Sequence, residues 1–329
     1  MEKGAAMNIL ITGGTSFIGS YCARELLKDG HTVVGYNRNP SPQLLKKLLS
    51  KSEFEKVKLE SGDVADLPHM MRIARENKID SVIHLAAAMY PNSENPSEVI
   101  PTNVVGTYNV FELARELKLR RVVYGGSISV FGRIRDLIGP ESSKALFDEK
   151  HLVYNPTRMY GATKALGEFM AAHYNRTFGT DIIGLRIPRV YGTEKLTGSG
   201  VQFTEFLQKI AHDEPATIEN GNDALVYLYV EDAAALICKV CLIPSTKTKI
   251  FNAHEGGHYT GWQLAGILKE INPQAKITIK QGQSVYDTPA LDNTAMKSEL
   301  SFTPKYSLKD GMKLVLNEMR HKSGLPPFK

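Results

Sequence analysis

Met7-Asn8-Ile9-Leu10-Ile11-Thr12-Gly13-Gly14-Thr15-Ser16-Phe17-Ile18-Gly19 is the stretch on which the fold turns. Its first six residues form a short apolar run suited to a strand buried inside a parallel sheet. Glycines follow at once, and residues 20–28 then read as an amphipathic helix ended by Gly30. Strand, glycine turn and helix leave unpaired backbone N–H groups and a helix N-terminus where a phosphate can sit. Residues 31–36 are a second strand, so a β-α-β unit is complete within about thirty residues, which raises the glycine pattern above an isolated motif.

Outward from that unit, strands and helices alternate. Residues 57–60 are a strand leading into Gly62-Asp63, 67–77 a helix, 81–86 a strand, 103–117 a helix, 121–125 a strand and 181–187 another. The alternation predicts an α/β fold with a doubly wound parallel sheet, whose ligands bind beyond the carboxyl ends of its strands. The Gly13 loop, Asp63, Ala86 and Ser127 all fall there. After Pro188 the pattern loosens: 192–200 reads as a loop, 201–212 as a helix, 224–230 as a strand, 232–242 as a helix, 249–252 as a short strand and 262–271 as a helix. Residues 1–187 with about 224–252 are expected to form the sheet domain. Residues of about 188–223 and 253–329 are expected to form a smaller C-terminal substrate-binding lobe. The mixed segment 132–158, with Arg133, Arg135, Asp136, Glu141, Asp148 and Glu149, has the length of a lid or binding loop, or of a surface excursion.

Composition narrows the partners. The chain of 329 residues is 42% hydrophobic and 23% charged, as in an ordinary soluble globular protein. Its net charge of +5 is spread along the chain without the basic, aromatic-interleaved stripe of a nucleic-acid surface. No apolar run has the length of a membrane span and residues 1–7 lack an apolar signal core, so the expected location is the cytoplasm. Three cysteines fit a reducing compartment. Cys238 and Cys241 make a C-x-x-C inside an apolar helical run with no second pair or nearby histidine, which reads as core packing, and no metal is expected.

Tyr160-Gly161-Ala162-Thr163-Lys164 opens a second helical run, with Thr157 as its expected N-cap and Gly179 as its end. A spacing of four sets the phenol and the ammonium on one helix face. A phenol with an unperturbed pKa of about 10 is a poor base at neutral pH, and a neighbouring cation favours its phenolate. The pair suits a general acid/base acting on a substrate hydroxyl.

Taken in order, these residues resemble the extended short-chain dehydrogenase/reductase family, in its NAD(P)-dependent epimerase/dehydratase branch, with UDP-glucose/galactose 4-epimerase-like proteins as the pattern. Thr12-Gly13-Gly14-Thr15-Ser16-Phe17-Ile18-Gly19 is similar to the Gly-x-x-Gly-x-x-Gly cofactor fingerprint, and Gly62-Asp63-Val64 to the segment whose aspartate holds the adenine. His84-Leu85-Ala86-Ala87 resembles the strand end beside the cofactor, and Asn103 the asparagine opening the next helix; His84 itself reads as a packed strand residue. Counting back from Val130-Phe131-Gly132 sets the catalytic serine at Ser127, with Ser129 as substitute. The resemblance then implies a Ser127, Tyr160 and Lys164 set. Ser127 hydrogen-bonds the substrate oxygen and Tyr160 exchanges its proton. Lys164 holds the nicotinamide ribose, and a hydride passes to or from the nicotinamide. It also implies a homodimer through the Asn103 and Tyr160 helices.

Four departures qualify the implication. Ser16 replaces the second fingerprint glycine. Asn37-Arg38 stand where NAD-preferring members carry an acidic residue, and this charge balance leans to NADP over NAD. Arg189 stands where nucleotide-sugar enzymes carry an asparagine, either as an anion contact or in a structural ion pair, and Leu225 where they carry a diphosphate-gripping arginine. Ile128-Ser129 occupy the Asp-Glu positions of the sugar 4,6-dehydratases, which speaks against that elimination. The simplest implied activity is a nucleotide-sugar 4-epimerase. A net dehydrogenase or ketoreductase on a small or anionic alcohol/carbonyl pair is the alternative, and a catalytically idle dinucleotide-binding protein the third.

Overall fold

The computed structural model describes residues 5–89, 92, 94–133, 135–139, 146–151, 153–195, 200–282 and 288–329. Its centre is a sheet of seven parallel strands: β1 (Asn8–Thr12), β2 (Thr32–Asn37), β3 (Val57–Ser61), β4 (Ser81–His84), β5 (Arg121–Ser127), β6 (Ile182–Ile187) and β7 (Ile250–Asn252). They lie in the order β7-β6-β5-β4-β1-β2-β3. The chain reverses its winding between β1 and β4, and the strand ends on either side of that point are where a doubly wound sheet opens a crevice.

Alternate side chains leave a strand on opposite faces, so each strand feeds two cores. Ile9 and Ile11 of β1 join Ile83, Val123 and Ile183 in one, while Leu10 joins Val34, Val82, Val122 and Ile182 in the other. Helices α1 (Phe17–Lys28) and α5 (Val230–Leu242) cover the first face. Helices α2 (Leu67–Glu76), α3 (Gly106–Leu117) and α4 (Met159–Phe178) cover the second. Cys238 and Cys241 sit on the buried side of α5, where Cys238 Sγ donates to the Cys22 carbonyl at 3.5 Å and all three thiols are free. Among the described residues no helix is long and apolar enough to cross a membrane.

Smaller strand pairs stand beyond the sheet: Arg189–Tyr191 with Tyr227–Tyr229, Ala216–Ile218 with Ile277–Ile279, and Leu146–Phe147 with Ala290–Leu291. The strand expected over 224–230 is divided. Ala224–Leu225 pairs antiparallel with Tyr259–Thr260, Tyr227–Tyr229 joins Arg189–Tyr191, and Val230 already begins α5. Val226 marks the break: its side chain is buried and its carbonyl accepts the Arg189 N–H at 3.4 Å.

Two helix starts differ from the sequence reading. Asn103 opens no helix. Pro96–Val99 is already helical, Ile100–Val105 is a wider π-helical turn, and α3 continues from it. The second correction concerns α4, which is capped at Arg158 and not at Thr157, with no side-chain cap bond. The Met159 N–H is instead satisfied by the Glu94 carboxylate at 3.2 Å, a charge of the sign that a helix N-terminus favours. Gly179 ends the helix in the left-handed conformation as expected. In segment 132–158, Glu141 and the Arg135 side chain lie outside the described residues. Glu149 accepts the Asn252 N–H at 2.9 Å, and Asn252 Nδ2 donates to the carbonyls of Phe147 and Asp292, both at 3.0 Å. This part of the segment is stitched to the sheet edge.

Candidate active site

A cleft of about 1080 Å³ runs along the carboxyl ends of the strands. At one end the Gly13 backbone is left-handed, with φ +76°, and a Cβ there would meet the Ala86 nitrogen at 3.2 Å. A Cβ at Gly19 would run into the Gly13 carbonyl oxygen. Only glycine lets α1 start this close to β1 and β4. Ser16 is the N-cap of α1, exposed on the cleft, and its hydroxyl makes no capping bond. No acidic side chain lies in the first turn, so the positive end of the helix faces the cleft unopposed. Phe17, Ile18, Leu85, Ala86 and Ala87 line the cleft, while Thr15 and Gly19 shape the loop from behind. The Thr15 N–H donates to Asn37 Oδ1 at 3.0 Å, fastening the glycine turn to the end of β2. This cradle fits the pyrophosphate of a dinucleotide.

The far end of the same arm is lined by Asn37, Arg38, Asp63 and Val64. Asp63 Oδ1 accepts the Ala65 N–H at 2.9 Å, and Val64 is fixed through its carbonyl by Asn109 Nδ2 at 2.9 Å. The Arg38 guanidinium is 3.7 Å from the Glu98 carboxylate and 4.0 Å from that of Asp63.

Ser127 ends β5 next to the switch point. Its hydroxyl donates to Ser129 Oγ at 3.1 Å, accepts the Ser129 N–H at 3.1 Å and lies near enough to the Tyr160 phenol to favour its ionised form. Lys164 Nζ donates to the Gly125 carbonyl at 2.7 Å and lies 5.6 Å from the centre of the Tyr160 ring. Burial dominates the electrostatics. It pushes the Tyr160 phenol up to about 12, against the pull of the Ser127 hydroxyl, and the Lys164 ammonium down to about 8. Lys164 by itself therefore does not make the phenol acidic, because its charge is spent on a carbonyl and penalised by the same desolvation.

Behind the pair, Asn103 is buried and accepts the Ala88 N–H at 2.7 Å, while its Nδ2 reaches Thr163 Oγ1 at 3.3 Å. It is a positioning residue inside the π-helical turn, where side chains spaced off the ordinary helical register meet α4. His84 bridges Thr12 Oγ1 at 2.7 Å and Thr107 Oγ1 at 3.1 Å. Burial, then the Lys164 charge, push its imidazole down to about 3, which makes it a neutral packed residue.

Beyond Tyr160 the cleft continues between Arg189, Leu225 and Tyr227. Arg189 stacks on Phe203 and Tyr227, with its guanidinium 5.5 and 6.0 Å from their ring centres, and makes no ion pair among the described residues. The sequence reading had missed Lys195. It lines the same wall at 7% exposure, with its ammonium 5.2 Å from the centre of the Phe17 ring. One lysine in a chain with 40 basic residues carries no mark of burial; only its position between Gly192 and Gly200, shortly after Arg189, singles it out.

Comparison with known proteins agrees with this geometry. The family model for the NAD dependent epimerase/dehydratase family matches residues 9–253. A putative UDP-glucose 4-epimerase of Methanocaldococcus jannaschii is 28% identical, over 95% of this chain and 98% of its own length. The crystal structure of a UDP-glucose 4-epimerase from Thermotoga maritima with UDP-glucose is similar at a TM-score of 0.81 and 25% identity, covering 96% of this chain and 99% of that one. An L-threonine dehydrogenase of Cupriavidus necator shares the fold, at a TM-score of 0.80 and 22% identity over 95% of this chain and 99% of that one. The model match spans most of the chain and both arms of the cleft, and the chain is an enzyme belonging to the NAD-dependent epimerase/dehydratase family.

Proposed function

We propose that this enzyme is a nucleotide-sugar 4-epimerase. The observation that carries the reading is the second arm of the cleft. The cleft as a whole, at about 1080 Å³, exceeds a pocket for one ligand, roughly 300–1,000 Å³, and this arm carries it past Tyr160 to Arg189, Leu225 and Tyr227. Residues of about 188–223 and 253–329 are the lobe in this reading.

The chain's own groups divide the work. Ser127 holds the substrate oxygen by its hydroxyl. Tyr160 takes the hydroxyl proton when the carbon is oxidised and returns it when the carbon is reduced from the other face. A bound nicotinamide supplies the hydride acceptor and donor, together with the positive charge that a phenol raised by burial needs to ionise. Lys164 contributes a second cation at the ribose, and the buried walls exclude water from the transient ketone.

The cofactor in this reading is NAD. The lean to NADP rests on Asn37, which carries no charge, and on Arg38 as the cation for a 2′-phosphate. Glu98 and Asp63 flank that guanidinium and offset its charge, which weakens it as a clamp for a 2′-phosphate. The purified enzyme is expected to carry bound NAD and to interconvert UDP-sugars without net change in absorbance from the nicotinamide. Release of NADP on denaturation would remove the cofactor assignment, and stoichiometric reduction of exchangeable cofactor would favour the dehydrogenase alternative, for which the loss of an arginine at Leu225 speaks.

The enzyme is also read as a homodimer. Ile100, Val105 and Tyr108 on the Pro96–Leu117 helical segment and Leu166 and Phe169 on the adjacent α4 are exposed. Large apolar side chains in such number on two neighbouring helices need a partner surface. Light scattering is expected to give twice the monomer mass for the wild type and a monomer for Phe169→Glu; a wild-type monomer at micromolar concentration would dismiss the dimer. Three free buried thiols fit a reducing compartment, and the cytoplasm is the location that goes with this reading.

A further inference from the structure

Arg189 and Lys195 both line the second arm of the cleft, and among the described residues neither makes an ion pair. Lys195 is 7% exposed, and neither a carboxylate nor a hydrogen-bond acceptor contacts its ammonium among the described residues. Its neighbour Glu194 turns the other way and pairs with Lys47 and with Lys322, the latter at 2.6 Å, which fixes the loop so that Lys195 points inward. Gly200, left-handed at φ +89°, starts the Val201–Ala211 helix; that helix has no side-chain cap and no acid in its first turn. A Cβ on Gly200 would lie 3.5 Å from Lys195 Cε, so the lysine stem runs along the positive end of the helix. Asp223 lines the same cleft, and its charge acts on Tyr227. Burying an unpaired ammonium is costly, and the arrangement makes physical sense only with an anion between the two cations.

We propose that Arg189 and Lys195 together bind the diphosphate of the substrate, in place of the arginine that this chain lacks at Leu225. The proposal rests on the nucleotide-sugar reading and goes further by naming the clamp. Arg189, placed beside the Phe203 and Tyr227 rings, offers a fork of N–H donors, and Lys195 offers a point charge beside the open helix end.

The test titrates UDP and UMP into the full-length enzyme with its cofactor, for the wild type, Lys195→Met, Arg189→Met and Lys195→Arg. UDP is expected to bind the wild type at least about tenfold tighter than UMP, and each Met variant to lose that margin while UMP affinity stays within about threefold. Lys195→Arg should keep most of the margin. Lys195→Met should also melt no lower than the wild type, since it removes an unpaired buried charge, and this separates a lost contact from a lost fold. If the wild type binds UDP and the Met variants bind it equally well, the clamp is wrong and the nucleotide-sugar reading stands. If Lys195→Met loses cofactor and keeps UDP, Lys195 serves the cofactor's pyrophosphate and the proposal is overturned. A wild type that binds none of UDP, GDP and dTDP overturns both.

Discussion

Tyr160→Phe is expected to lower turnover by at least about a hundredfold while leaving the fold and the bound cofactor in place. The substitution deletes one oxygen from a ring whose neighbour, Ser127, keeps a hydrogen-bond partner in Ser129. No buried group is left stranded, and the loss reports proton transfer. The control is cofactor content, read from the absorbance of the purified variant, together with its melting temperature. Near-normal turnover in a folded, cofactor-loaded variant would exclude Tyr160 as the acid/base. Ser127→Ala is the companion change, because it removes the hydroxyl that lies beside the phenol and is assigned to the substrate oxygen.

Glu168→Ala is expected to cost about 3–5 kcal/mol of stability, the range for breaking a buried ion pair from one side. Glu168 and Arg186 are 2% and 0% exposed and pair through two bonds, Nε to Oε1 at 3.0 Å and Nη2 to Oε2 at 2.9 Å. The Tyr154 hydroxyl donates to the same carboxylate at 2.7 Å, and the guanidinium carbon lies 4.8 Å from the centre of the Phe131 ring. Removing the carboxylate leaves a fully buried guanidinium facing aromatic rings, with its Nη1 already unpartnered. Denaturant unfolding would measure the loss. The double variant Glu168→Leu with Arg186→Met should recover much of it, as apolar replacement of both partners often does. A single-variant loss below about 1 kcal/mol would show that water or rearrangement satisfies the arginine, and would refute the buried-pair account. Glu168 stands one helical turn after Lys164 on α4, so the pair also sets the rotation of the helix that presents Tyr160.

Wherever a local signal exists, the sequence displays the site. Gly13 and Gly19 announce a turn that no other residue can make, and Ser127 is found by counting back from Val130-Phe131-Gly132 on the family pattern. What escaped reading depends on partners far along the chain. The cap of α4 comes from Glu94, 65 residues before Met159. The π-helical turn at Ile100–Val105 has one visible sign, Pro101 within an otherwise helical pattern, and it holds Asn103 against Ala88 and Thr163, neither of them near in sequence. The split between Leu225 and Tyr227 arises because two different sheets claim neighbouring residues. Lys195 is distinguished only by burial, which a single lysine cannot advertise.

The seventh strand of the sheet bears on how the molecule is made. β7 lies beside β6, yet the whole of 188–249 is synthesised between them. At ribosomal rates of roughly 5–20 residues per second, the β6 edge stays open for several seconds after it emerges. During that interval its row of unpaired backbone groups is a template for another nascent chain. Arrival of Ile250–Asn252 closes the edge and draws in Phe147 and Glu149 through Asn252, and Asp292 joins them once it has been made. A ribosome stalled before residue 250 would hold a nascent chain whose cofactor cradle is translated but whose sheet edge still calls for a chaperone.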